Sequence, residues 1–185
     1  AQTGSEAYGY YVRNVRIMNT YIGSGHGILW HELTHGFIDA NVSRSDAVTP
    51  AWFDEGFASF YEMAFLERGR VSEGYTNWRL PMLQASLRAG KVLPLKTALG
   101  YTGFTESFNY AEARFFFVYL WVNGTMDEFV RAYIYEILPK KVGAARDEDT
   151  IKLVERLIGK DIETIDQDYR AMALKLAPNV KLTPK

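Results

Sequence analysis

Cysteine is absent from the 185 residues. That excludes disulfides, cysteine-ligated zinc and thiol catalysis, and it leaves the redox compartment open. No apolar run reaches the length of a bilayer span, so no transmembrane helix is expected. Charge of one sign is also missing: 21 Lys and Arg against 22 Asp and Glu give a formal net charge of −1. With no basic stripe, nucleic acid is not an expected partner. The N-terminal AQTGSEAYGYY has no basic stretch followed by an apolar core, so it does not read as a signal peptide, and one removed beforehand stays open. The first motif starts about thirty residues in, which suggests a piece of a longer protein with further domains beside it. About half of the residues are apolar, enough for a real core.

Pattern along the chain predicts a short β region followed by a mostly helical body. YVRNVRIMNTYI (Tyr11 to Ile22) is β-branched and aromatic, and reads as one or two short strands. GSGHG breaks the pattern. A helix is expected from about Ile28 to Ala40, with Leu29, Leu33, Phe37 and Ile38 at helical spacing. After a polar loop, Pro50 fits the first turn of a second helix behind Thr49 as cap, running to about Arg68. Short helices follow near Trp78–Ala89 and Leu95–Leu99. A helix over Tyr110–Val122 stops at Asn123-Gly124. Thr125 opens another, through Ile137, with Thr125 and Glu128 spaced as a capping box. PKKVGAARDEDT reads as a charged linker before helices at Thr150–Ile158 and Ile162–Ala177. The expected fold class is α+β, mostly α. Residues 1–68 would form one part, with the short β region and the first two long helices, and residues 69–185 a helical lobe that packs against it.

The chemistry is concentrated in HELTHGFIDA, which starts at His31. His31 and His35 lie four residues apart, about 40° apart around a helix and one turn up, so both imidazoles can reach one ion. Glu32 lies beside them and can share that space without being a ligand. Two neutral nitrogens and a carboxylate placed to take a proton from a metal-bound water are what HExxH hydrolysis needs. The chain has three histidines, and two of them make this motif. A catalytic zinc also needs a third protein ligand and an open position. Glu55, 20 residues after His35 in AWFDEGFASF, falls near the start of the next expected helix. Two antiparallel helices would bring it to the histidines.

HELTH followed by AWFDEGFASF resembles the gluzincin metallopeptidases, closest to the bacterial peptidase MA-like families and more distantly to zinc aminopeptidases. The resemblance is tight over Gly27 to Glu67. It is looser through NYAEARFFFVYL and DIETIDQDYRAMALKL. It implies a zincin-like catalytic domain with one zinc ion per chain, held by His31, His35 and Glu55, and with Glu32 as general base and acid. The substrate implied is a peptide or protein. Tyr110, in NYAEARFFFVYL, matches a tyrosine that donates to the oxyanion in such enzymes, and Tyr101 is the alternative.

The chain departs from the pattern in two places. The amine-binding G-x-M-E-N motif is missing, which argues against an aminopeptidase, and YIGSGHG at that point could be a strand edge that pairs with extended substrate. The spacing from His35 to Glu55 is one residue longer than the commonest aminopeptidase spacing. Asp39 could orient a ligating histidine. Asp54 reads as a first-turn helix charge and His26 as a surface or substrate-edge residue. FFFVYLW and Trp52 read as core. Two rival readings stay open: a zinc-binding module without turnover, and a metallohydrolase of non-peptide amides or esters.

Overall fold

The computed structural model describes residues 9–21, 23, 25–42, 49–100, 107–140 and 142–184. They form eight α-helices and two small antiparallel hairpins, an α+β fold that is mostly α. The two expected N-terminal strands are β1 (Gly9–Val12) and β2 (Ile17–Thr20), paired Gly9 to Thr20 and Val12 to Ile17. The hairpin lies on α1 (His26–Asn41), where the Tyr11 hydroxyl donates to Asp39 at 3.0 Å.

Helix α1 is inside out by the usual rule. Leu33 and Phe37 are 44% and 50% exposed, whereas Glu32 and His35 are 6% and 8% exposed. Ile38 is the fully buried apolar anchor. The periodicity of Leu33 and Phe37 therefore marks the outer face, and the buried stripe is polar. A buried polar stripe is the informative observation, because it has to be satisfied by partners from other elements.

Helix α2 (Ala51–Phe60) supplies those partners. Pro50 itself occupies its cap position, and no side chain caps the helix, so Thr49 does not play that part. Trp52, Phe53, Phe57 and Phe60 are buried. Trp52 sits in an aromatic cluster, 5.2 Å from the Tyr133 ring and 6.1 Å from that of Phe116. Edge-to-face rings at these distances add to the area they bury. Helix α5 (Ser107–Val122) runs through the centre, with Phe115 to Leu120 all buried, as FFFVYLW implies. Gly56 lets α2 and α5 meet: a Cβ there would lie 2.9 Å from Ala113 Cβ and 3.0 Å from the Phe117 ring. That contact is the physical role of the glycine that follows Glu55.

The expected helix to Arg68 ends early. After Phe60 comes a single 3-10 turn, Tyr61–Met63, then a hairpin of β3 (Phe65–Glu67) and β4 (Arg70–Ser72). Arg68 and Gly69 both have positive φ, 52° and 78°, the geometry of a two-residue hairpin turn. Arg-Gly is a weaker turn signal than Asn-Gly, and the stretch Phe60–Leu66, apolar except for Glu62, hid the break. Helices α3 (Arg79–Arg88) and α4 (Leu95–Ala98) stand where expected.

Helix α6 (Met126–Ala132) gives way to a wider π turn, Tyr133–Ile137, with Leu138 N–H bonded to Tyr133 C=O. The Thr125 capping box does not form, since the Thr125 hydroxyl bonds back to Leu120 C=O at 3.1 Å. Helix α7 (Ala144–Ile158) begins six residues before Thr150, inside the expected linker. Arg146 and Thr150, each 1% exposed, are buried in it although the stretch reads as charged. Helix α8 (Ile162–Lys175) is capped by Asp161, which accepts from Thr164 N–H at 2.8 Å. One apolar cluster runs from Ile38 in α1 to Ala173 in α8.

One buried acid sets a pH dependence away from the site. Glu112 on α5 is 5% exposed, and its Oε1 has no hydrogen-bond partner among the described residues. Burial pushes its carboxyl up to about 8, with Asp166 adding and Arg170 opposing. A folded-state value above the unfolded one means the fold holds a proton that the unfolded chain has released, so stability falls as pH rises from about 4.5 to about 8. Glu112→Gln is expected to match wild type near pH 4 and to exceed it at pH 8 by on the order of 4 kcal/mol. Urea denaturation of both proteins across that range measures it. Parallel curves would show the carboxyl to be solvated.

Candidate metal centre

The site is built where α1, α2 and the 61–63 turn meet. Gly27, one turn before His31, permits the approach: a Cβ there would lie 2.3 Å from the Glu62 carbonyl oxygen. Closing that gap places the His31 ring beside Glu62. On the other side, α2 runs against α1 and presents Asp54 and Glu55 to the histidines.

His31, His35 and Glu55 come together as the spacing predicts, each offering one ligand atom, with all three atoms within 4.8 Å of one another. His31 Nε2 is 3.3 Å from Glu55 Oε2, and His35 Nε2 is 3.8 Å from Glu55 Oε1. For zinc bonds of about 2.0–2.1 Å, ligand atoms at tetrahedral corners are separated by about 3.3 Å. The donor set therefore fits a metal ion after small side-chain closure.

The outer nitrogens give the stronger test. His35 Nδ1 is 3.0 Å from Asp54 Oδ1, and His31 Nδ1 is 3.2 Å from Glu62 Oε1, the second contact being close but poorly aligned. A carboxylate hydrogen-bonded to Nδ1, as Asp54 is to that of His35, fixes the tautomer that leaves Nε2 free for a metal. Both Nε2 atoms then point at Glu55. Asp54 is thus more than a helix charge: it holds His35 and also pairs with Arg13 from the β1–β2 turn. Asp39 does not orient a histidine, because it holds Tyr11 and lies 3.6 Å from Arg16 Nε. His26 is exposed at the start of α1.

Without a metal the cluster is strongly coupled. Burial lowers His31, but hydrogen bonds and charge from Glu55 and Glu62 outweigh it and raise it to about 9. Burial alone would raise Glu62; His31 and Arg79 hold it at about 2 instead. For Asp54 too, burial is outweighed by His35 and Arg13, and its carboxyl is lowered. Glu32 goes the other way: burial raises it, against the pull of the two imidazoles.

A cleft of roughly 350 Å³ opens over this group, lined by His31, Glu32, His35, Glu55 and by Gly9, Tyr10 and Tyr11 of β1. Glu32 faces this cleft without belonging to the ligand triad. The strand beside the cleft is β1. In YIGSGHG, Ile22 and Ser24 lie outside the described residues, and the others join no strand. Tyr110, half-buried on α5, is near enough to Glu55 that, after burial, the Glu55 charge raises its phenol while Arg79 lowers it. Tyr101 lies outside the described residues.

Sequence reasoning missed Glu62 and Arg79. Glu62 stands seven residues after Glu55, two helical turns on and so on the same side. That spacing was the available signal. Arg79 comes from α3 and has no local signature. No protein-family model, curated protein or solved structure matches this chain.

Proposed function

We propose that the chain is a zinc metallopeptidase domain of gluzincin type that hydrolyses peptide bonds. The observation that carries the reading is a carboxylate set against each Nδ1, Asp54 hydrogen-bonded to that of His35 and Glu62 3.2 Å from that of His31, while both Nε2 atoms converge with Glu55. A surface cluster of His and Glu has no need of that support; a ligand set does.

His31, His35 and Glu55 would hold the ion and leave one side open to the cleft. A bound zinc would supply a Lewis acid and a water acidified towards neutral pH. Glu32, buried beside the three residues and facing the cleft, would serve as general base towards the attacking water and then as general acid towards the leaving amine. Tyr110 donates its hydroxyl proton in a hydrogen bond to the oxyanion that forms at the scissile carbonyl. Gly9 to Tyr11 wall the cleft on the side of β1.

Labelled casein, incubated with zinc-loaded protein with and without chelator, tests the reading. Chelator-sensitive cleavage is the expected result. Zinc binding with no cleavage of casein or of small amides would make the domain a binding module. Cleavage of small amides alone would make it an amidase. Tyr110→Phe is expected to lower kcat about 10²–10³-fold, as removal of one oxyanion donor does, with little change in KM. An unchanged kcat would remove Tyr110 from the mechanism.

A further inference from the structure

We infer that Arg79 is a positioning residue that ties the carboxylate behind His31 to the ring of Tyr110, so that one side chain holds both the metal ligand's support and the phenol. What Tyr110 does in turnover rests on the peptidase reading above; the hold of Arg79 on Glu62 does not.

Arg79 is the first residue of α3, an element separate from those that carry His31, Glu62 and Tyr110. Its Nε and Nη2 donate to the two oxygens of Glu62 at 3.2 and 2.8 Å, a two-point grip on a side chain only 11% exposed. Asn77, fully buried, adds a third hold: its Nδ2 donates to Glu62 Oε2 at 3.2 Å while its Oδ1 accepts from the Arg79 N–H at 3.1 Å. The Oε1 that accepts from Arg79 Nη2 also lies 3.2 Å from His31 Nδ1.

With one edge engaged in this way, the guanidinium still has its faces free. Its Cζ lies 4.3 Å from the Trp78 ring centroid and 5.6 Å from that of Tyr110. Planar Arg can grip a carboxylate by its edge and stack on aromatics by its faces, whereas the point charge of Lys cannot do both at once. A displacement of Arg79 therefore has two consequences in two places. Glu62 loses the grip that aims it at His31, and Tyr110 loses the cation beside its ring.

The test separates the two arms. Zinc affinity is measured by chelator competition on stripped wild type, Arg79→Ala, Arg79→Lys, Glu62→Gln, Tyr110→Phe and the Arg79→Ala/Glu62→Gln double variant. Arg79→Ala and Glu62→Gln are each expected to weaken zinc about 10–100-fold, as loss of a ligand's outer partner does. The double variant should fall no more than about threefold below the worse single, because both remove one interaction. Arg79→Lys keeps a cation on Glu62 and should regain zinc affinity, yet show reduced kcat on labelled casein at saturating zinc. Tyr110→Phe should leave zinc affinity unchanged, and Arg79→Lys should cost no further kcat in its background.

Wild-type zinc affinity in Arg79→Ala, or multiplicative losses in both cycles, would overturn the inference. If zinc-loaded wild type does not cleave casein, the peptidase reading falls, and 19F NMR of 3-fluorotyrosine protein decides the link instead. Glu62→Gln should then shift the Tyr110 signal when Arg79 is present and leave it in place in Arg79→Lys. Equal shifts in both would overturn it. Should Arg79→Ala fail to fold, Arg79→Gln, which removes the cation and keeps much of the side-chain volume, takes its place in the zinc arm with the same expected loss.

Discussion

Glu32→Gln is expected to lower peptide hydrolysis about 10²–10⁴-fold, the usual contribution of a positioned general base, and to leave the zinc in place. The substitution keeps the shape of the side chain and removes its basicity. Glu32 is 6% exposed, so a change of volume would disturb α1, and Gln avoids that. It faces the cleft but is outside the His31, His35 and Glu55 triad, so the ion loses no ligand. The effect should appear in kcat with KM nearly constant, because the proton transfer belongs to the transition state. Casein kinetics and metal content, measured on the same preparation, check both halves. A variant with full activity would remove Glu32 from the chemistry. A variant without zinc would make it a ligand.

Glu55→Ala is expected to abolish zinc binding and, with it, the stability the ion provides. Glu55 approaches both histidines, at 3.3 and 3.8 Å, and without it only two ligands remain. Zinc at about 1,000 times its Kd stabilises the wild-type fold by about 4 kcal/mol. For a chain of this size that corresponds to a Tm shift of about 8–16 °C. Wild type should therefore melt higher with zinc and lower with chelator, while Glu55→Ala melts at one temperature in both. Calorimetry with and without metal reads it. The same zinc-dependent shift in wild type and Glu55→Ala would place the ion elsewhere.

That His31, His35 and Glu55 come together as a possible metal-binding group was legible in the sequence because it is local. His31 and His35 share a helix at one-turn spacing, and Glu55 lies near the start of the next helix. The support of that set was less legible. Asp54 reads as a helix charge until α2 is seen turning it towards His35 Nδ1. Arg79 reaches Glu62 across 17 residues and a hairpin, a contact set by tertiary packing. The fold class was legible from periodicity, yet the same periodicity misassigned α1: Leu33 and Phe37 look like anchors and face outward, because the buried stripe is given to the site. The hairpin after Met63 was hidden by an apolar run that suits a helix as well as a strand. The start of α7 was hidden by charges, one of which, Arg146, is buried.

Zinc content after equilibrium dialysis tests the central claim most directly. Wild type, Glu32→Gln and Glu55→Ala are stripped, dialysed against the same free zinc and analysed for metal. One zinc per chain in wild type and Glu32→Gln, with under about a tenth of that in Glu55→Ala, is the result expected of a three-ligand site. A folded wild-type protein that stays metal-free, or a Glu55→Ala protein that binds as wild type does, would contradict it.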